Sequence, residues 1–381
     1  MMPGVPADVS WMAVPGTEGP ERRPPRPAVL RAKSEPSSES DVSTLTSAED
    51  PVGADAGRDA RPNTWKLVQV LIRAAVGSGL IFFLASRADL ASVLRAFREA
   101  NYTVAGLAYF LVFSAVVVGA ARWEPYLHRL ALDVPLGRAV LLSIIGAFFN
   151  AFLPTGVGGD AYKAFRVRQG AGTLTPAFAS VILDRAAGVV GMAVLALIGT
   201  AALSAVERRD LDLLPAASCA VAILLIYGAA MVLGRRLGGY GPPRGRAGLR
   251  GQTASLLRAV GYGAAGVPAS ARALTLGTVT GALLLTANIL IAKAVHVSVP
   301  VGGMAALLLL ASIAAMIPLS INGVGFREVV YVWGFSAYGI GHDTAFAFAI
   351  LVLGASLCAS VVGGIAYALT GDSGGSGTPG R

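Results

Sequence analysis

The chain has 381 residues, 54% of them hydrophobic and 14% charged, with a formal net charge of +9. Several windows of about 20 residues hold almost no charge, the length a helix needs to cross a bilayer, which excludes a soluble globular fold. The apolar runs are continuous, which excludes the period-two alternation of a membrane barrel.

Residues 1–62 are rich in Pro, Ser, Glu and Asp and read as a disordered tail without the apolar core of a signal peptide. Residues 63–370 form the transmembrane domain and 371–381 a flexible tail. A first span is expected over Leu67–Leu84. In Arg87–Asn101, Leu90, Val93, Leu94 and Phe97 follow the spacing of an amphipathic surface helix. A second span, Tyr102–Ala121, ends in Arg122-Trp123, a pair suited to the headgroup level. Leu136–Leu153 is followed by a proline and a glycine cluster, and Thr175–Leu203 is interrupted early by Asp184-Arg185. Leu213–Leu233 spans again. Residues 234–272 hold seven arginines and no acid, which marks a cytoplasmic loop. Leu274–Val295 and Thr344–Leu369 are further spans. Between them Val301–Ile317 breaks at Pro318 and a second glycine cluster. Cys219 and Cys358 both fall in apolar segments and offer neither a disulfide framework nor a metal site. The basic balance points to anionic lipid rather than nucleic acid.

Counting faces from a cytoplasmic N-terminus, the arginine-rich loop falls inside only if Leu136–Leu153 enters from the cytoplasm, breaks at 154–159 and returns as a short helix over Ala161–Arg168. The same count sends the second broken segment in from the opposite face. The breaks resemble each other: Gly156-Val157-Gly158 and Gly323-Val324-Gly325 each follow a proline, and a charge, Asp160 or Arg327, lies two residues beyond. The expected fold is therefore an all-α polytopic integral membrane protein of about six full spans plus two broken, re-entrant hairpins in an inverted-repeat-like arrangement.

Irregular backbone at membrane depth is tolerated only where protein buries it or a wet cavity solvates it. A helix restarting after a break points its positive end and unpaired N–H groups into that break, which suits an anion. The substrate-binding candidates are therefore Asn150, Pro154, Gly156, Gly158, Gly159, Asp160, Lys163, Arg166, Asp184 and Arg185 around the first break. Around the second they are Pro318, Ser320, Gly323, Gly325, Arg327 and Glu328. Lys163 and Arg166 are expected to gather a phosphate headgroup at the cytoplasmic side. Asp160 would pair with Arg327, Arg185 or a cationic headgroup, and Asn150 and Asn322 would satisfy freed backbone groups. The outline of a dinucleotide fingerprint at Gly156–Ala161 follows a membrane segment rather than a strand and is set aside. No catalytic residues, metal or cofactor are expected.

Arg122-Trp123, Asn150-x3-Pro154-x-Gly156-x-Gly158-Gly159-Asp160 with Arg166 beyond, Asp184-Arg185, and Pro318-x-Ser320-x2-Gly323-x-Gly325-x-Arg327-Glu328 together resemble the lysylphosphatidylglycerol synthase transmembrane, or flippase-like, domain. The resemblance covers about residues 65–370. In full-length synthases it implies a domain that moves aminoacylated phosphatidylglycerol between leaflets. The sequence carries nothing resembling their soluble aminoacyl-transferase domain, so it is expected not to make that lipid. Thr155 stands where many relatives have glycine. The expected function is a lipid or lipid-linked headgroup translocator of the inner or plasma membrane, with anionic or phosphate-bearing lipids as partners. The alternatives are a membrane-embedded lipid-modifying transferase, with Asp160 as its one candidate acid or base, and an accessory subunit docking a separate synthase or glycosyltransferase through the basic loop.

Overall fold

The computed structural model describes residues 64–153, 158–168, 174–206, 214–236, 249–316 and 319–370. The two terminal tails lie outside these, as do Pro154, Gly156, Pro318, the acidic 207–212 loop and the middle of the basic loop. The described residues form helices joined by turns, with no strand among them: α1 (Thr64–Ser86), α2 (Leu90–Glu99), α3 (Tyr102–Arg129), α4 (Leu136–Phe152), α5 (Gly158–Val167), α6 (Leu174–Val206), α7 (Leu214–Arg236), α8 (Leu249–Ala265), α9 (Val267–Ala294), α10 (Val301–Ala315), α11 (Phe326–Ser336) and α12 (His342–Thr370). Helices α3, α6, α7, α9 and α12 are each long and apolar enough to cross a bilayer. The apolar part of α1 turns by 91° into α2, and together they make a sixth candidate span. Asp89 starts α2 by accepting hydrogen bonds from the Ala91 and Ser92 N–H groups, both at 3.2 Å. Along α2, Val93 is buried and Phe97 half-buried, while Leu90 and Leu94 stay exposed.

Helices α3 and α9 form an antiparallel pair. The Asn101 N–H, just before α3, donates to the Ala294 carbonyl at the end of α9 (3.0 Å). At the other end, Arg129 lies against Gly266, where a Cβ would come within 2.8 Å of Nε. Glycines bring other backbones together: a Cβ on Gly191 would strike Gly277, and one on Gly363 would strike the Ile144 carbonyl. Close approach through small residues is how helices associate where lipid removes the hydrophobic drive between them. Large apolar side chains such as Phe82, Phe110, Leu225 and Ile226 remain exposed, as on a lipid-facing surface.

Both expected hairpins are present. Helices α4 and α10 have 17 and 15 residues, so they rise about 25 and 22 Å, short of a hydrocarbon core about 30 Å thick. After the first break α5 packs back along α4, and after the second α11 packs back along α10. The first hairpin opens at the face where α3 ends and α4 begins. The second opens at the opposite face, where Tyr338, after α11, covers Gly303 near the start of α10. That face also holds the α1–α2 corner, because the Asp89 N–H donates to Asp343 Oδ1 in the first turn of α12 (3.0 Å).

Several boundaries differ from expectation. Helix α5 begins at Gly158, three residues earlier than expected. Helix α3 runs on to Arg129 through Pro125, so Arg122-Trp123 lies inside the protein rather than at the headgroups. The stretch read as a basic loop contains α8, which packs on α6 and α7 with Gly261 against Gly234. Its arginines, glycines and low hydropathy concealed it as a helix.

Candidate functional site

Polar side chains from both hairpins and from α3 and α6 form a network of ion pairs in three clusters, largely buried except for the Arg185 side chain, which is 43% exposed. Asp184 of α6 is 4% exposed and receives two cations, Arg122 Nε at 2.8 Å and Lys163 Nζ at 3.3 Å. The Lys163 ammonium also lies 4.1 Å from the centroid of the fully buried Trp123 ring, and the indole N–H donates to Ser180 Oγ (3.1 Å). Room for these side chains comes from glycine. A Cβ on Gly146 would press on Lys163 Cδ at 3.2 Å, and one on Gly188 would come within 2.6 Å of Arg122 Nη1. The next residue of α6, Arg185, donates from Nε to Asp160 Oδ2 of α5 at 2.8 Å. Adjacent residues of one helix thus grip the returning helix of the first hairpin at two points.

The second hairpin keeps its charges to itself. Arg327 donates from Nε and Nη2 to Glu328 Oε1 (3.2 and 3.0 Å) and from Nη1 to Ser356 Oγ of α12 (3.2 Å). Glu328, fully buried, turns its other oxygen to the Gly325 N–H at 2.6 Å. This is the backward half of a capping box, an acid at the third helical residue reaching the N-terminal backbone. The break preceding it uses left-handed backbone at Asn322 (φ 51°), Gly323 (φ 70°) and Gly325 (φ 93°). A Cβ on Gly325 would also lie 2.7 Å from Leu80 Cβ on α1.

Two of the N–H groups at the breaks are taken up within the protein. The Gly159 N–H donates to Asn150 Oδ1 at 2.9 Å, the role expected of Asn150, and the Gly325 N–H is taken by Glu328. Asn322 serves through its backbone conformation. Lys163 is 7% exposed and held by Asp184, inside the protein rather than at its surface. Arg166 lies further along α5, 5.8 Å from the Tyr162 ring centroid, and its carbonyl accepts from Arg138 at 3.5 Å. Ser320 is buried beside Gly77 of α1, and Gly158 lies against Leu153.

What the fold does converge is arginine. A cavity of about 320 Å³ lies among α3, α6, α9, α10, α11 and α12, and Arg122, Arg185 and Arg327 line it together with Asn288, Ser312 and Tyr331. Arg122 stands seven residues from the end of α3, about 10 Å along the axis, so the cavity is well inside the helical bundle. Asn288 is 4% exposed; its amide NH2 donates to the Leu284 carbonyl (2.8 Å), and its Oδ1 is buried without a partner. No acidic residue lines the cavity among the described residues. At formal charges the network holds four cations, Arg122, Lys163, Arg185 and Arg327, against three carboxylates, Asp160, Asp184 and Glu328. Sequence reasoning missed Arg122 as a site residue because the span appeared to end beside it. It also missed Asn288, although an asparagine deep in an apolar run was a legible signal.

Paired helical hairpins opening from opposite faces, around an arginine-lined cavity among spanning helices, define a polytopic membrane protein. The model of the lysylphosphatidylglycerol synthase TM region matches residues 70–364. The chain belongs to that family, which ties it to lipid-related processes at the membrane. No curated protein matches it.

Proposed function

We propose that the protein is a lipid translocator, carrying a phosphate-bearing headgroup between leaflets while the acyl or prenyl tails stay in the bilayer. The observation that carries this reading is the convergence of Arg122, Arg185 and Arg327 on one cavity inside the bundle. Guanidinium groups suit phosphate because they offer several N–H donors in a planar fork. The hairpins, opened from opposite faces, supply the two sides from which a headgroup would reach the cavity. Asp160, the one candidate acid or base for a transferase, is engaged by Arg185, which favours transport over chemistry. By the excess of arginine in residues 234–272, the face carrying the ends of α3 and α7 is cytoplasmic, with the N-terminus on that side of the plasma or inner membrane. A separate synthase or glycosyltransferase would supply or consume the lipid.

Reconstitution tests this. The full chain in vesicles should speed leaflet exchange of an acyl-labelled phospholipid, read by chemical quenching of the outer-leaflet label. Arg327→Gln should slow exchange at least tenfold while the protein still elutes as a folded species. Exchange at the unsubstituted rate would sink the assignment.

A further inference from the structure

We propose that the headgroup this cavity takes is a monoanionic phosphodiester bearing an uncharged, hydroxylated group, and not an aminoacylated, cationic one. The proposal rests on the translocation reading and adds the substrate class. It follows from the charge and donor inventory of the walls. Arg122 and Arg185 each use Nε toward a carboxylate, which leaves their Nη donors for a ligand. None of the three carboxylates of the network lines the cavity among the described residues. The excess of cations over carboxylates is one charge. A single phosphodiester negative charge neutralises it; a zwitterion leaves it standing. A headgroup with a net positive charge doubles it, with an ammonium set among three guanidinium groups whose like charges repel it.

The remaining polar atoms of the wall specify the other half of the ligand. The hydroxyls of Thr280 and Ser312 donate to carbonyls of their own helices, Leu276 and Leu308, and so offer the cavity acceptor oxygens only. Asn288 Oδ1, buried and unpartnered, is a third acceptor. Arginine donors and neutral acceptors in one wall, with the Tyr331 hydroxyl able to serve as either, complement a phosphate joined to an alcohol.

The experiment uses the full chain in phosphatidylcholine vesicles with trace acyl-labelled phosphatidylglycerol, phosphatidylethanolamine or lysylphosphatidylglycerol, and equilibrium binding of the same labelled lipids in detergent. Phosphatidylglycerol should bind and exchange at least tenfold better than the other two. Ser312→Asp, which places a carboxylate in the wall, should erase or reverse that preference. Asn288→Leu, which keeps every charge, should weaken phosphatidylglycerol binding several-fold and preserves a test if Ser312→Asp does not fold. Binding in the expected order without exchange of any lipid would overturn the translocation reading and leave the substrate class standing. Exchange of all three lipids alike, or equal or better binding of lysylphosphatidylglycerol, would overturn the substrate class. Binding of none would overturn both.

Discussion

The two hairpins look alike in sequence and are held by different means. In the first, charges cross between elements: Lys163 and Asp160 of α5 are gripped by Asp184 and Arg185 of α6, and Asp184 is shared with Arg122 of α3. In the second, the ion pair joins neighbours in one turn, Arg327 and Glu328, and attachment to other helices is by contact of Gly325 with Leu80 of α1 and by the neutral bond from Arg327 to Ser356 of α12. The Gly-Val-Gly match aligned Asp160 with Arg327, yet the returning helices equate Asp160 with Glu328, each the third residue of its helix. An acid there faces the positive helix end, which favours it in both. The same local rule leaves opposite consequences. Asp160 is free to restrain an arginine on another helix, while Glu328, spent on its own cap and neighbour, leaves Arg327 turned to the cavity.

The largest expected effect is at Asp184. Asp184→Ala strands Arg122 and Lys163 as unbalanced buried cations, and breaking a buried pair by removing one partner costs about 3–5 kcal/mol. The expected result is a large drop in melting temperature in detergent. Amide exchange should rise in residues 158–167 before it rises in 326–336. Equal release of both helices would break the distinction between the hairpins, because Asp184 touches only the first.

Intermediate effects belong to the glycines. Gly325→Ala adds a Cβ at φ 93° and against Leu80, whereas Gly159→Ala keeps helical backbone but drives its Cβ onto the Gly146 backbone carbonyl and the Asn150 side chain. Overpacking of this kind costs about 1–3 kcal/mol, and Gly325→Ala carries the added strain of left-handed backbone. Both variants should melt lower than the unsubstituted protein, Gly159→Ala by more, because its Cβ meets backbone that cannot turn aside. The reverse order would mean that the positive-φ turn of the second break, rather than the α4–α5 contact, is the tighter constraint.

How much of this the sequence disclosed depends on whether the signal was local. The spans and both breaks were legible because apolar run length and Pro-Gly punctuation are read from neighbours along the chain. Asp184-Arg185 stood out as charge inside an apolar run. The pairing of Asp160 with Arg185 rather than Arg327 was not legible, since it depends on which helix α5 returns against. Arg122 was misread for a local reason: the apolar run stops there, while the helix continues through Pro125 to Arg129 and buries Trp123, Tyr126 and Leu127. Helix α8 was lost to its arginines and glycines, because its helicity is supported by packing on α6 and α7. The cavity itself draws on six helices, and no window of sequence contains it.

The smallest effect sharpens the comparison most cleanly, since it concerns the same task performed by a neutral and by a charged group. Asn150 and Glu328 each accept the N–H of a break glycine, at 2.9 and 2.6 Å. Losing a neutral acceptor costs about 1 kcal/mol, and hydrogen bonds to charged groups are worth roughly twice as much. Asn150→Ala should therefore lower the melting temperature slightly and leave the Asp160–Arg185 grip, and with it lipid exchange, near the unsubstituted level. Glu328→Gln keeps an acceptor for Gly325 and removes the charge beside Arg327, so it should cost more stability than Asn150→Ala and alter exchange through Arg327. If Asn150→Ala proved the more damaging, the first break would depend on its neutral cap rather than on the ion pairs to α6, and the contrast drawn between the hairpins would fail.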